Sequence, residues 1–132
     1  MRHIKLLEWE KKLTAMFNEV DDYLEDKYGG RYLLHPARPL RGTTSNKAHD
    51  GLFNVGAAFS TGLGSDFGPG YVIEVRMVTL EQVPVELREN ILQEVVELVR
   101  RYLPRYFPDK KLDVALDGDV YKIFGDLKLG EV

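Results

Sequence analysis

The sequence predicts a single α+β domain in which two helices pack on one face of a mainly antiparallel four-stranded sheet. Three observations indicate this fold: two long segments with apolar residues at helical spacing, four short segments with alternating apolar residues, and an Asp-Gly pair between the last two. The predicted order is helix, strand, strand, helix, strand, strand. We expect residues 1–132 to form one domain, because this length suits one hydrophobic core.

The first helix is predicted from apolar residues that recur about every 3.6 positions. They are Leu6, Trp9, Leu13, Met16, Phe17, Val20, Tyr23 and Leu24. The helix should end at Gly29 and Gly30, because glycine readily adopts the left-handed conformation that closes a helix. Its last turns carry an acidic cluster that includes Glu19, Asp22 and Asp26. A solvated face is the favoured interpretation, and a bound cation or a basic partner is the alternative.

Two strands follow, and we expect them to form a hairpin joined by the glycine-spaced loop 61–70. Their buried faces would hold Phe53, Val55, Ala57 and Phe59, then Tyr71, Ile73, Val75 and Met77. The opposite sheet face would present Asn54, Gly56, Ala58, Glu74, Arg76, Asp113, Ala115 and Lys122. Since this face is uncovered, we expect it to meet a second copy and form a homodimer. It lacks stacked aromatic residues, which argues against RNA binding.

The second helix should begin at Pro84 and end at Pro104 and Pro108, because proline suits a first helical turn and disrupts later ones. Its buried stripe would comprise Leu87, Ile91, Val95, Leu98 and Tyr102.

The last two strands should form a hairpin whose two-residue turn is Asp117-Gly118. This register places Leu112 opposite Ile123 and Val114 opposite Tyr121. It also sets Asp113 across from Lys122, an attractive pair on the other face.

Composition excludes several classes of function. The chain has no cysteine, which removes disulfides, thiolate metal sites and cysteine nucleophiles. No apolar run reaches the ~20 residues of a membrane span, and the first residues lack a secretory signal, so we expect a cytoplasmic protein without a membrane partner. The net charge of −3 is uneven, because a modestly positive segment stands in an otherwise acidic chain, and this argues against a nucleic-acid partner, which requires a basic face. The glycine spacing matches no dinucleotide or phosphate-loop motif, so no cofactor is predicted.

A basic segment and the glycine loop are the best candidates for a ligand site. The segment 31–51 holds four cationic residues against one acid. Within it, Arg38, Arg41, Lys47 and His49 could bind a carboxylate or phosphate. Backbone amides at Gly62, Gly64 and Ser65 could cradle the same anion. We therefore expect a binding module for a small anionic ligand. Alternatively, the acidic end of the first helix neutralises these cations, and the glycine loop is a plain hairpin connection.

Two further hypotheses remain open. An enzyme acting on a phosphorylated or carboxylated substrate could use His35 or His49 as acid or base, and a triad would add Asp50 with Ser45 or Ser65. A metal site could draw on His35, His49, Asp50 and Asp66, although their spacing forms no ligand motif, and no metal is predicted. The third hypothesis is a structural or adaptor subunit that uses the open sheet face.

Overall fold

The computed structural model describes residues 2–127 and confirms the predicted fold class. Its elements in chain order are α1 Arg2–Tyr28, a 3₁₀ turn Lys47–His49, β1 Phe53–Ser60, β2 Gly70–Met77, α2 Val85–Tyr106, β3 Leu112–Asp117 and β4 Val120–Gly125. None of the helices within residues 2–127 has the length and apolar character needed to cross a membrane.

The four strands form one antiparallel sheet in the order β1-β2-β4-β3, so β1 and β3 are its edges. The β1–β2 hairpin pairs along its whole length, from Phe53 opposite Met77 to Ser60 opposite Gly70. In contrast, β2 and β4 pair only at Tyr71–Ile123 and Val72–Lys122. The two hairpins therefore diverge beyond Val72 and leave a gap in the middle of the sheet.

Both helices pack on the sheet face that carries Phe53, Val55, Ile73 and Ile123. The helical contribution to the core is the following set: Trp9, Leu13, Met16, Phe17, Val20, Leu24, Tyr28, Ile91, Val95, Val96, Leu98, Val99, Tyr102 and Leu103. Burial of this apolar surface is the main force that holds the two layers together.

Glu94 of α2 fastens the two helices to each other. Its carboxylate accepts hydrogen bonds from Tyr23 at 3.1 Å, from Lys27 at 2.7 Å and from Tyr28, all on α1. Although burial raises the pKa of Glu94, the hydrogen bonds from Lys27 and the two tyrosines hold it below its usual value. The carboxylate is therefore ionised in the folded protein at neutral pH.

Two predicted details of the fold are wrong. Pro104 does not end α2, because the helix continues to Tyr106 and Phe107 closes it by donating its backbone N–H to Leu103. A proline in the last turn removes one helical hydrogen bond, and the buried neighbours Leu103 and Phe107 hold the turn in place.

The register of the second hairpin differs from the prediction by two residues. Asp117 pairs with Val120, so the turn is Gly118-Asp119 and Ala115, rather than Asp113, lies opposite Lys122. Gly118 has a φ of 69°, and a positive φ at the first central residue is what a type II′ hairpin turn requires. A shift of two residues keeps every side chain on its predicted face.

Candidate functional site

Two of the cations expected to bind an anion are paired with carboxylates of α1. Arg41 lies 2.9 Å from Asp26 and 3.2 Å from Asp22, and Lys47 lies 2.8 Å from Asp22. The alternative interpretation of the basic segment, neutralisation by the acidic end of the first helix, therefore describes this region. The hydrogen bond to Asp22 raises the pKa of Lys47 above its usual value, so Lys47 remains charged at neutral pH.

Arg38 is occupied by backbone carbonyl groups. Its guanidinium donates to Gly51 at 2.9 Å, to Asp50 at 3.0 Å and to Phe53 at 3.0 Å. A planar group with several donors suits this arrangement, because it satisfies three oxygens of one turn at once. Arg38 thereby fixes the path of the chain as it enters β1.

We expect Arg38→Ala to lower the free energy of unfolding by about 2 to 3 kcal/mol, because three carbonyl oxygens lose a charged donor. Arg41→Ala should cost less than about 1 kcal/mol, because its ion pairs are exposed. Urea unfolding of both variants measures the difference. Equal and small losses would contradict a structural role for Arg38.

The glycine loop lies against the sheet face opposite the helices, where a buried lysine holds it. Lys122 is 2% exposed, and its ammonium group contacts Asp117 at 2.7 Å, Gly68 O at 2.8 Å and Ser65 Oγ at 3.1 Å. The Ser65 hydroxyl donates to Asp117 at 2.6 Å. The expectation of a fully open face is wrong at this end, because the loop covers Lys122.

Ser65 and Lys122 lie as close together as a catalytic serine and its lysine base, but the likeness ends with this distance. Lys122 donates to Ser65 Oγ, to the carbonyl of Gly68 and to the Asp117 carboxylate, and the Ser65 hydroxyl donates to Asp117 rather than to Lys122. Hydrogen bonds from Lys122 and Ser65 hold the pKa of Asp117 below its usual value. These contacts hold the glycine loop against the sheet.

The two predicted ligand loops do not form a common mouth. Arg38 and Asp50 lie at the start of β1, whereas Gly62, Gly64 and Ser65 follow its end, and eight residues of strand separate them by roughly 25 Å. The pocket expected between these loops is therefore absent from the described chain.

The same separation excludes the triad alternative that uses Ser65 and removes Asp66 from the other candidate metal ligands. Ser65 cannot join Asp50 and His49, which lies exposed on the 3₁₀ turn before β1. Asp50 accepts hydrogen bonds from Thr44, and Nδ1 of His35 accepts the backbone N–H of Ala37. Within residues 2–127 no group of histidine and acidic side chains is arranged to hold a metal ion.

The two edges of the sheet differ in how their backbone groups are satisfied. In an antiparallel ladder, successive residues direct their N–H and C=O groups to alternate sides. On β3 the middle outward-facing residue is Val114, whose carbonyl accepts a hydrogen bond from Arg100 at 2.9 Å and whose N–H donates to Asp113 at 2.7 Å. Edge β3 is thus blocked at its centre, as isolated sheet edges commonly are.

Among the residues that the structure describes, edge β1 is blocked only at Phe53, its first residue. Phe53 donates its N–H to the buried Glu25 at 2.9 Å, and its carbonyl accepts from Arg38. The remaining outward-facing residues are Val55, Ala57 and Phe59, and no hydrogen bond to their outward backbone groups occurs within residues 2–127. Burial raises the pKa of Glu25, although N–H donors of the strand oppose this.

A groove runs along this free edge. It has a volume of about 610 Å³, and its lining consists of Leu13, Thr14, Phe17 and Asn18 of α1, Asn46, residues 54–57 of β1 and residues 74–76 of β2. A second hollow of about 680 Å³ continues from it along α1. This hollow is lined by the outer stripe of the helix, which comprises Ile4, Leu7, Glu8, Glu10, Lys11, Thr14, Ala15 and Asn18.

Exposed apolar side chains lie at both ends of this surface. Leu7 is 62% exposed on α1, and Phe59 is 59% exposed at the end of β1, where its ring contacts only the edge of Tyr71 among described aromatic residues. The sequence contained Phe59 as part of an alternating strand but gave no sign that β1 is an edge. The order of the strands in the sheet shows that β1 is an edge and that Phe59 lies on it.

The fold and this surface define a two-layer α+β protein with one unprotected sheet edge. Comparison with known proteins places the chain in a family. It belongs to the family whose model, described as "Uncharacterised protein", matches residues 4–125. A protein of Borreliella burgdorferi (strain ATCC 35210 / DSM 4680 / CIP 102532 / B31), described as "Uncharacterized protein", is 43% identical over 121 residues, which cover 92% of this chain and 94% of the relative. No solved structure matches.

Proposed function

We propose that the protein is a structural or adaptor subunit that pairs with a second copy of itself through the edge of β1. The observation that carries this proposal is the contrast between the edges: β3 is blocked at Val114, between its outward-facing residues 112 and 116, whereas the successive outward-facing residues Val55, Ala57 and Phe59 of β1 have no backbone partner on that side within residues 2–127. An unprotected edge is a template for another strand. Pairing two β1 edges would make one sheet of eight strands.

The sequence of β1 suits pairing with itself about a twofold axis. With Ala57 on the axis, Val55 of each copy lies opposite Phe59 of the other, and all three residues direct backbone groups across the interface. On the opposite face Gly56 would meet Ala58, and these small residues allow close approach of the strands. The exposed ring of Phe59 would then lie beside the groove that begins at Val55.

Helix α1 supports the same arrangement. Thr14 and Asn18 line both hollows, so the outer stripe of α1 is continuous with the strand edge. A twofold axis through Ala57 brings the α1 helices of the two copies to the same side of the joined sheet. Leu7, which is 62% exposed, would be buried there. Large exposed apolar residues on such a stripe are typical of an interface.

We expect the protein to be a dimer by size-exclusion chromatography with light scattering, and Phe59→Lys to convert it to a monomer. Lysine on an edge strand opposes pairing because its charge must be desolvated in the interface. Leu116→Lys is the matched control, because Leu116 is 53% exposed on the other edge strand and should leave the dimer intact. Leu7→Lys should weaken the dimer as well.

Other outcomes distinguish the alternatives. A monomeric wild-type protein at about 100 μM would exclude stable self-pairing, since obligate dimers persist far below that concentration. Dissociation by Arg76→Glu, with Phe59→Lys still dimeric, would move the interface to the sheet face that carries Arg76. Circular dichroism spectra of each variant establish that the fold is retained.

A further inference from the structure

A separate cavity lies between the two hairpins, where β2 and β4 diverge. It has a volume of about 430 Å³, within the usual range for ligand sites. Its sides are Ile73, Val75 and Met77 of β2 and residues 119–121, from the last turn into β4, and its floor is the first half of α2. We call it the hairpin cleft, and it does not include the outward-facing edge of β1.

Backbone groups in the hairpin cleft lack strand partners. Val78 donates its N–H to Leu52 beside β1, so alternate residues of β2 face β1 and those between them face the cleft. Pairing between β2 and β4 stops at Val72. The cleft-facing N–H and C=O groups of Val75 and Met77 therefore have no ladder partner within residues 2–127, and an extended chain could hydrogen-bond to both.

The side chains give the cleft an apolar floor and an acidic rim. Val85, Ile91 and Leu92 of α2 form the floor. Glu74, Glu89 and Asp119 at the rim outnumber the cationic Arg88 by three to one, and these four residues take part in no ion pair within the described chain. A surplus of acidic groups favours a basic ligand.

We infer that the hairpin cleft binds an extended peptide segment in which apolar residues alternate with lysine or arginine. The peptide backbone pairs with Val75 and Met77, its apolar side chains contact Ile91 and Leu92 of α2, and its basic side chains reach Glu74 on the other face of the sheet. Alternation places the two kinds of side chain on opposite sides of an extended chain. This inference is independent of self-pairing through β1.

The test measures fluorescence anisotropy of a fluorescein-labelled five-residue peptide of alternating lysine and valine, titrated with the full chain. We expect the peptide of lysine and valine to bind, and a peptide of the same length in which glutamate replaces lysine not to bind. Binding should also be lost with a version methylated on its backbone nitrogens, because this version cannot donate to strand β2. NMR shifts of the Val75 and Met77 amides would follow binding.

Glu74→Lys should weaken binding by about tenfold or more, since it reverses a charge at the rim. Glu86→Lys is the matched control, because Glu86 is exposed on the first turn of α2 but does not line the cleft. Equal weakening by both variants would mean that the peptide binds through general charge attraction. That result, equal binding of the methylated peptide, or no binding at millimolar protein would overturn the inference.

Discussion

Asp21→Asn is expected to stabilise the protein at pH 8 by about 2 to 4 kcal/mol. Asp21 is 4% exposed on α1, and burial, together with the negative charge of Glu25, raises its pKa from 3.8 to about 7. Asp22 and Asp50 raise the pKa further, whereas Lys47 lowers it. Asparagine removes the buried charge and keeps the shape of the side chain.

The direction of the pH dependence follows from proton binding. Between about pH 4 and pH 7 the folded state keeps a proton on Asp21 that the unfolded state has lost. The contribution of this group to stability is therefore full below pH 4 and is lost as the pH rises through 7. Asp21→Asn should flatten the stability profile between pH 5 and pH 8 and have little effect at its acidic end.

Urea unfolding at several pH values measures this effect. The exposed Glu10 of the same helix offers a matched control, because Glu10→Gln removes one negative charge without changing a buried group. A profile for Asp21→Asn that runs parallel to that of the wild type would show that Asp21 is ionised throughout and would contradict its raised pKa.

Lys122→Ala is expected to lower the free energy of unfolding by about 3 to 5 kcal/mol, because it leaves Asp117 and the carbonyl of Gly68 without their buried cation. The loop 61–69 should then become sensitive to protease. Gly70 belongs to the same arrangement, since a Cβ atom there would lie 2.6 Å from the Lys122 side chain.

Lys122→Met separates the contribution of the ammonium group to stability from that of the aliphatic side chain, because methionine restores most of the packing. It should be nearly as destabilising as alanine if the ion pair matters most. The double variant Lys122→Met, Asp117→Leu should recover part of the loss, since an apolar pair can replace a buried ion pair. A loss below about 1 kcal/mol for Lys122→Met would assign the effect to packing alone.

The fold was predictable because its signals are local. Helical spacing from Leu6 to Leu24 and alternation in Phe53–Phe59 depend only on neighbours in the sequence. The register of the second hairpin was harder to predict, because the turn can be formed by Asp117-Gly118 or by Gly118-Asp119. Moving the turn by one residue changes each cross-strand partner by two positions, so both registers place the same side chains in the core.

The candidate site was less predictable because it depends on strand order and long-range pairing. Nothing near Val55 or Phe59 in the sequence tells that β1 is an edge, and nothing near Lys122 tells that Ser65 reaches it across 57 positions. The basic segment was evident in the sequence, yet its charged side chains pair with α1 and hydrogen-bond to the turn before β1. Clustered cations indicate a ligand only when no carboxylate of the same chain lies nearer.

The hydrogen bonds that Arg100 and Asp113 make at Val114 have a consequence for assembly size. If two copies join through β1, each outer margin of the combined sheet is a β3 strand whose central backbone groups are already satisfied. Further molecules would find no continuous template there, so in such an assembly growth would stop at a closed pair rather than continue into a fibre. Arg100 of α2, together with Asp113, would thereby limit the number of copies.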